Sequence, residues 1–177
     1  MPNQVSPLRS RLRRIRLFLC DVDGVLTDGA VWMGGGKEWK RFNIRDGLGL
    51  KFLQSQGIRV GWVSRRPSPA TKQRARDLKI DFLIQRDGGK VEGVEALLRD
   101  LRLNWKQVCY VGDDVVDVGV LERCGLSVAV ADAVSEAKAA AHYTTKAPGG
   151  SGAIREIAEL ILKAQRRWKT VVEQYSH

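Results

Sequence analysis

No apolar run in the sequence approaches the roughly 20 residues that span a bilayer. The opening residues, MPNQVSPLRSRLRRIRLFLC, lack the apolar stretch of roughly 7–15 residues, closed by small side chains, that marks a secretory signal. No membrane role is expected, and the cytoplasm is the expected compartment. Cysteine is scarce as well: Cys20, Cys109 and Cys124 are odd in number and show no CxxC spacing, which excludes a disulfide framework and leaves three reduced, mostly buried thiols. The two histidines, His142 and His177, do not stand near them at ligand spacing, so a zinc-type site is excluded too. No internal repeat or low-complexity linker is present.

What remains is a chain of 177 residues with 44% hydrophobic and 28% charged content, the balance of one globular unit. At that length folding hides roughly 70% of the surface of the extended chain, so a core forms without staples. The net charge of +10 is concentrated at the ends. Arg9, Arg11, Arg13, Arg14 and Arg16 crowd the start, and Lys163, Arg166, Arg167 and Lys169 the last helix. With no aromatic-basic motif beside them, they point to no nucleic-acid partner. They read as a solvated basic arm over residues 1–14 and a solvated helix face, with a single domain over 15–177. A basic field also attracts anionic substrates.

Strand and helix signals alternate from Ile15 onward, which predicts an α/β fold, a Rossmann-like doubly wound and mostly parallel sheet. The strand candidates are Ile15–Cys20, Ile58–Ser64, Phe82–Ile84, Val108–Val111 and Leu126–Val130, short apolar runs suited to strands covered on both faces. Helices are expected from a Ser68 cap to Leu78, along the Val91, Val94, Leu97, Leu98, Leu101 stripe, over Val116–Cys124 with Gly125 as a left-handed stop, and over Gly152–Gln174. One stretch breaks the alternation. Ala30–Met33, the glycines 34–36 and Glu38–Phe42 predict a β-hairpin, about 30–42, that projects as a flap.

Chemistry-bearing residues gather at predicted strand ends, where parallel sheets form their ligand crevice. The first strand runs into DVDGVLTDG, with Asp21 and Asp23 two positions apart. Taken alone, such a pair also suits a solvated turn. Ser64 closes the second core strand and can donate to a phosphate oxygen. Lys90 opens a helix and can bring positive charge to the same end of the sheet. The strand Val108–Val111 feeds Gly112, Asp113, Asp114 and Asp117, acids that repel one another unless a cation sits among them.

These clusters, in this order, resemble the four motifs of the haloacid dehalogenase superfamily. Within it the strings DVDGVLTDG, FNIRDGLGLK, YVGDDVVD, GLSVAVADA and GGSGAIRE resemble the capless 3-deoxy-D-manno-octulosonate 8-phosphate phosphatase family, and the likeness runs from Ile15 to about Ala164. The resemblance implies a Mg²⁺-dependent phosphomonoesterase of lipopolysaccharide precursor synthesis. Asp21 is then the nucleophile, Asp23 the acid and base, and Ser64 and Lys90 hold the phosphoryl oxygens. Mg²⁺ is implied at Asp21, the Asp23 carbonyl and Asp113, with Asp117 positioning these groups from behind. Substrate contacts are implied for Asp23, Asn43, Ile44, Arg45, Asp46, Gly47, Lys51, Arg66, Arg74, Lys90 and Asp114, and the assembly implied is a homotetramer. Arg66 and Arg74 are expected in a carboxylate pocket, with Arg74 facing the crevice mouth. The string Ser64-Arg65-Arg66 departs from the family's usual Thr-Gly-Arg and puts the sugar in question. A related nine-carbon keto-acid phosphate is the neighbouring alternative, and an assembly module without catalysis is the alternative of another class.

Overall fold

The computed structural model describes residues 7–176. In chain order its helices and strands are α1 (Pro7–Arg14), β1 (Leu17–Cys20), β2 (Trp32–Gly34), β3 (Lys37–Trp39), α2 (Ile44–Ser55), β4 (Arg59–Ser64), α3 (Pro69–Asp77), β5 (Phe82–Gln85), α4 (Lys90–Leu101), β6 (Val108–Gly112), α5 (Val118–Leu121), β7 (Leu126–Ala129), α6 (Ser135–Ala140), β8 (Tyr143–Thr144), α7 (Ala153–Ala164) and α8 (Trp168–Tyr175). Six strands form one sheet in the order β5-β4-β1-β6-β7-β8, every pairing parallel. The chain works outward from β1 through β4 to β5, then returns to β6 and works outward the other way. The order therefore reverses between β1 and β6, and in open parallel sheets the loops at that reversal part to form a crevice.

Hydrophobic burial holds this arrangement together. Every residue of β1, β6 and β7 is buried, as a strand covered on both faces requires. Trp62 and Tyr110 are the largest wholly buried side chains, and Phe18 lies with them. A core side chain of this kind contributes about 1.5–3 kcal/mol by leaving water. On one side α7 packs against α1 and α2, with Ile154, Ile157, Ala158, Ile161 and Leu162 buried. On the other, α4, α5 and α6 pack in succession. Ser68 caps α3 through a 3.2 Å bond from the Thr71 amide, with Pro69 in the first turn. The hairpin β2–β3 pairs Trp32 with Trp39 and Met33 with Glu38, and its glycines turn the chain.

Some expectations need correction. Residues 7–14 are not a solvated arm; they form α1, with Leu12 buried, Arg11 Nη1 donating to the Gly125 carbonyl at 2.7 Å and Arg13 Nε to the Ala164 carbonyl at 3.2 Å. The remainder of that arm, residues 1–6, lies outside the described residues. The expected helix over Gly152–Gln174 is two helices, broken where Arg166 turns left-handed at φ 61°; α8 then folds back so that Trp168 and Tyr175 both pack on Phe52. The expected Val116–Cys124 helix shrinks to a 3-10 turn over Val115–Asp117 and the single turn of α5. Gly125 is no left-handed stop: it is glycine because a Cβ there would fall 2.2 Å from the Lys106 carbonyl oxygen. The cysteines are free and buried, as expected.

Candidate active site

The ends of β1, β4 and β6, joined by the start of α4, deliver their polar side chains into one crevice of about 570 Å³. Asp21, Asp23, Ser64, Arg65, Arg66, Lys90, Asp113 and Asp114, all sequence candidates except Arg65, line it with Pro67, Asp87 and Val116. Asp21 follows β1 directly and is almost wholly buried. Its Oδ2 lies 2.9 Å from Lys90 Nζ, and its Oδ1 accepts the Val22 amide at 2.7 Å.

Glycine is what lets the two acidic loops meet. A Cβ on Gly24, which sits at φ 88°, would fall 2.0 Å from Asp113 Oδ2; a Cβ on Gly112 would fall 2.6 Å from that of Asp117. The first glycine allows the loop after β1 to close on Asp113, and the second allows Asp117 to fold back under the loop after β6.

Asp117 is wholly buried and wholly engaged. Its Oδ1 accepts Lys90 Nζ and the Tyr110 hydroxyl, both at 2.6 Å, and its Oδ2 accepts the amides of Asp113 at 3.0 Å and Asp114 at 3.3 Å. It therefore has little left to offer a ligand and serves as the anchor of the site. Burial would lower the Lys90 ammonium, but the adjacent Asp117 and Asp21 more than compensate and raise it, so it stays charged.

Asp113 is the opposite case. Its Oδ1 is buried and without a hydrogen-bond partner. Burial, with the charges of Asp117 and Asp21 nearby, pushes its carboxyl up to about 8, and burial with Asp117 pushes Asp21 up to about 6. Asp21, Asp113 and Asp117 offer oxygens that all lie within 4.8 Å of one another, against the single ammonium of Lys90. An orphaned carboxylate oxygen in an all-oxygen cluster with surplus negative charge fits a small hard cation.

Around Asp23 lies a second group that sequence reasoning missed. Lys40 Nζ stands 2.6 Å from Asp23 Oδ1, 3.8 Å from Glu38 Oε1 and 3.1 Å from the Thr71 hydroxyl, and the Lys40 side chain is wholly buried. Glu38 accepts from the Ser68 hydroxyl at 2.6 Å and pairs with Arg66, whose Nη1 is 3.9 Å from Asp23 Oδ2. The sequence carried no signal for this: Glu38-Trp39-Lys40 alternates charged and apolar residues, and only the fold turns the charged ones inward and Trp39 out.

The other expected substrate residues stand elsewhere. Ser64 is buried, its hydroxyl donating to the Arg66 carbonyl and accepting the Arg66 amide, each at 3.1 Å, so it shapes the turn as well as facing the crevice. Asn43 caps α2, and with Ile44 and Arg45 it lines a separate hollow of about 820 Å³ between α2 and α7. The Asp46 carboxylate is buried against the start of α7, accepting the amides of Gly152 at 3.1 Å and Arg155 at 2.8 Å. Arg74 does not face the crevice mouth: its guanidinium lies where a Cβ on Gly47 would meet Nη2 at 2.8 Å, and its Nε is buried without a partner. Lys51 is half-buried along α2 and does not line the crevice. Arg65 is exposed, 3.8 Å from Asp87.

Comparison with known proteins gives this geometry a lineage. Residues 82–157 match the haloacid dehalogenase-like hydrolase family. A 3-deoxy-D-manno-octulosonate 8-phosphate phosphatase of Yersinia pestis is 44% identical over 156 residues, 88% of this chain and 83% of the relative. The chain belongs to the 3-deoxy-D-manno-octulosonate 8-phosphate phosphatase family. Solved members agree over nearly the whole fold: the crystal structure of such a phosphatase from Yersinia pestis has a TM-score of 0.90 at 42% identity, covering 93% of this chain and 89% of that one. Another, from Moraxella catarrhalis, in complex with magnesium ion, phosphate ion and a KDO molecule, has a TM-score of 0.93 at 32% identity and covers 97% of this chain and 99% of that one. The parallel α/β sheet is thus the family's fold, and this chain carries the small antiparallel hairpin beside it.

Proposed function

We propose that the chain hydrolyses a sugar-acid phosphate monoester, 3-deoxy-D-manno-octulosonate 8-phosphate, to the free sugar acid and inorganic phosphate, with Mg²⁺ as cofactor. The observation that carries this reading is the pairing of buried Asp21 with Lys90, across the sheet's reversal from the orphaned oxygen of Asp113. The names of the relatives support the substrate, and the magnesium, phosphate and KDO in the Moraxella catarrhalis structure support the cofactor and product.

Asp21, Asp113 and the Asp23 backbone carbonyl would hold the ion, which when bound neutralises charge between an anionic nucleophile and an anionic ester. Asp21 attacks phosphorus, and an Asp21–phosphorus bond forms as the ester P–O bond breaks. Asp23 passes its proton to the departing alkoxide, which leaves as an alcohol. Water then gives a proton back to Asp23 as its oxygen bonds to phosphorus, and the Asp21 carboxylate is released with phosphate. Lys90 and Ser64 steady the phosphoryl oxygens where charge builds up. Asp117 has no part in bond making; it keeps Lys90 in place.

Arg66 and Asp114, which line the crevice, complete the proposed sugar-acid contacts; Arg74, Lys51 and residues 43–47 stand outside it in the single chain and are proposed to join them across a subunit contact. The proposed assembly is a homotetramer with the hairpin at subunit contacts, and the compartment the cytoplasm. Trp32 and Met33 are 68% and 74% exposed on the ribbon, apolar surface of the kind that seeks a partner. No helix among the described residues is long and apolar enough to cross a membrane. The test is phosphate release from a panel of sugar phosphates with and without Mg²⁺. Selective, metal-dependent hydrolysis of the octulosonate ester is expected, and preference for a nine-carbon keto-acid phosphate, or no hydrolysis at all, defeats the reading.

A further inference from the structure

Asp23 must offer one defined oxygen to the leaving group, yet it sits in a glycine-containing loop and not in a helix or strand. Its Oδ1 is buried and receives no directed hydrogen bond. This contrasts with Asp117, whose two oxygens receive four hydrogen bonds. Two cations hold Asp23 instead: Lys40, 2.6 Å from Oδ1, and the more distant Arg66, 3.9 Å from Oδ2.

Lys40 comes from the end of the hairpin, far from Asp23 in sequence terms but fixed in space. Its buried ammonium is steadied by the Thr71 hydroxyl at 3.1 Å, and Glu38 stands 3.8 Å off. Glu38 is itself fixed by Ser68 and Arg66. Burial alone would raise the Glu38 carboxyl, but the Ser68 and Arg66 hydrogen bonds and the Lys40 charge bring it below the usual range, so it remains an anion among these cations. A buried ammonium needs such partners to be tolerated at all. A solvated surface lysine would need none of them.

We infer that Lys40 is a positioning residue for proton transfer: it fixes Oδ1 of Asp23 from the side of the hairpin, so that the other carboxylate oxygen faces the leaving group. The inference rests on the phosphatase reading above. It makes the hairpin part of the catalytic apparatus of its own chain, independently of any contact the ribbon makes with another copy. A displacement of about 1 Å in a reacting group can cost on the order of 100-fold in rate. The loss falls on reactions that need the proton: an alkyl phosphate has a strongly basic leaving oxygen, whereas p-nitrophenolate leaves without one.

The experiment compares kcat/KM, which reports the steps through phosphorylation of Asp21, for 3-deoxy-D-manno-octulosonate 8-phosphate and p-nitrophenyl phosphate in wild type, Lys40→Met, Lys40→Arg and Asp23→Asn, with unfolding temperatures measured alongside. Lys40→Met should lower the alkyl ester by roughly 10–100-fold and the aryl ester by less than about threefold, and Lys40→Arg should recover part of the difference. Should Lys40→Met not fold, Thr71→Val removes the hydroxyl that steadies the ammonium and should show the same bias on a smaller scale. Equal losses on both esters, or no loss, overturn the inference. Asp23→Asn separates the two failures. If it discriminates between the esters and Lys40→Met does not, only the role of Lys40 falls; if Asp23→Asn shows no bias, the assignment of Asp23 falls and that of Lys40 with it.

Discussion

Lys90 and Asp117 form a buried ion pair, Nζ to Oδ1 2.6 Å, from which the rest of the crevice hangs. Lys90 also meets the nucleophile, and Asp117 also holds the two amides after β6. Removing one member of such a pair leaves an uncompensated charge out of water and costs about 3–5 kcal/mol. For a chain of this size each kcal/mol moves the melting point by about 2–4 °C. Asp117→Ala should therefore lower Tm by roughly 6–20 °C in a thermal scan and remove activity with it. Asp114→Asn, exposed and keeping a cap oxygen for the Val115 amide, should stay within about 2 °C.

Asp21→Asn separates chemistry from stability in the other direction. The Asp21 carboxyl is pushed up to about 6 by burial and by Asp117, so its charge is unwelcome in the metal-free fold. An amide cannot form the phospho-enzyme. Turnover should fall at least roughly a hundredfold while Tm without metal stays level or rises. A phosphatase assay paired with calorimetry checks both, and substantial residual turnover would move the nucleophile elsewhere.

Metal removal should abolish hydrolysis, and returning Mg²⁺ should restore it. Saturating Mg²⁺ should also raise Tm, since a ligand at 100 times its Kd stabilises by about 2.7 kcal/mol. Asp113→Ala removes the orphaned oxygen and should remove that rise. If the variant is stabilised by Mg²⁺ as much as wild type, the ion sits somewhere other than the cluster at Asp113.

The sheet and most of the crevice were legible in the sequence because both are local patterns. The buried strands read as apolar runs; Asp21 and Asp113 follow such runs directly and Ser64 closes one. What failed depended on distant packing. The break before α8 exists because Phe52 on α2 accepts Trp168 and Tyr175, a contact no helical periodicity reports. Gly125 answers to the Lys106 carbonyl across a turn. Lys40 and Glu38 were lost because a charged hairpin strand looks solvated until its partners Asp23, Ser68 and Thr71 are folded against it. Asp46 and Arg74 carried a family expectation, but the first caps α7 and the second lies on Gly47 in the single chain.

A pH effect away from the crevice follows from His142. Its Nδ1 accepts the Ser127 amide at 3.0 Å, and burial, with Arg11 near, lowers its ionisation from the ordinary 6.5. The unfolded chain then binds the proton more readily than the folded one. The stability from this group is complete above pH 6.5 and is lost as pH falls through the lower folded value. The ring is largely exposed, so the loss is small. His142→Asn keeps an acceptor for the Ser127 amide but cannot titrate. The Tm difference between variant and wild type should thus shift in favour of the variant between pH 7.5 and pH 5 (about 1–2 units either side of the ordinary histidine value). A constant difference would show that His142 does not sense pH.

The two arginines expected to share a carboxylate stand apart, and that separation makes a test of the assembly. Arg66 lines the crevice and needs no other chain to reach a substrate there. Arg74 lies against Gly47, outside the crevice lining, with its Nε buried and unpartnered. If both recognise the sugar acid, Arg74 reaches the substrate of a neighbouring copy. Arg66→Ala should raise KM for the acidic sugar phosphate well above its effect on p-nitrophenyl phosphate, because a charge-assisted contact of about 1.5–3 kcal/mol is worth tenfold or more in discrimination. Arg74→Ala should do the same only in the assembled protein. Met33→Glu, on the exposed ribbon, should split the proposed tetramer by placing charge in an apolar contact. In that background Arg66→Ala should still discriminate and Arg74→Ala should not, with light scattering reporting the state of assembly in each assay. Discrimination by Arg74→Ala in a proven monomer would mean that the arginine swings into its own crevice. No discrimination in any state would return Arg74 to packing on α2.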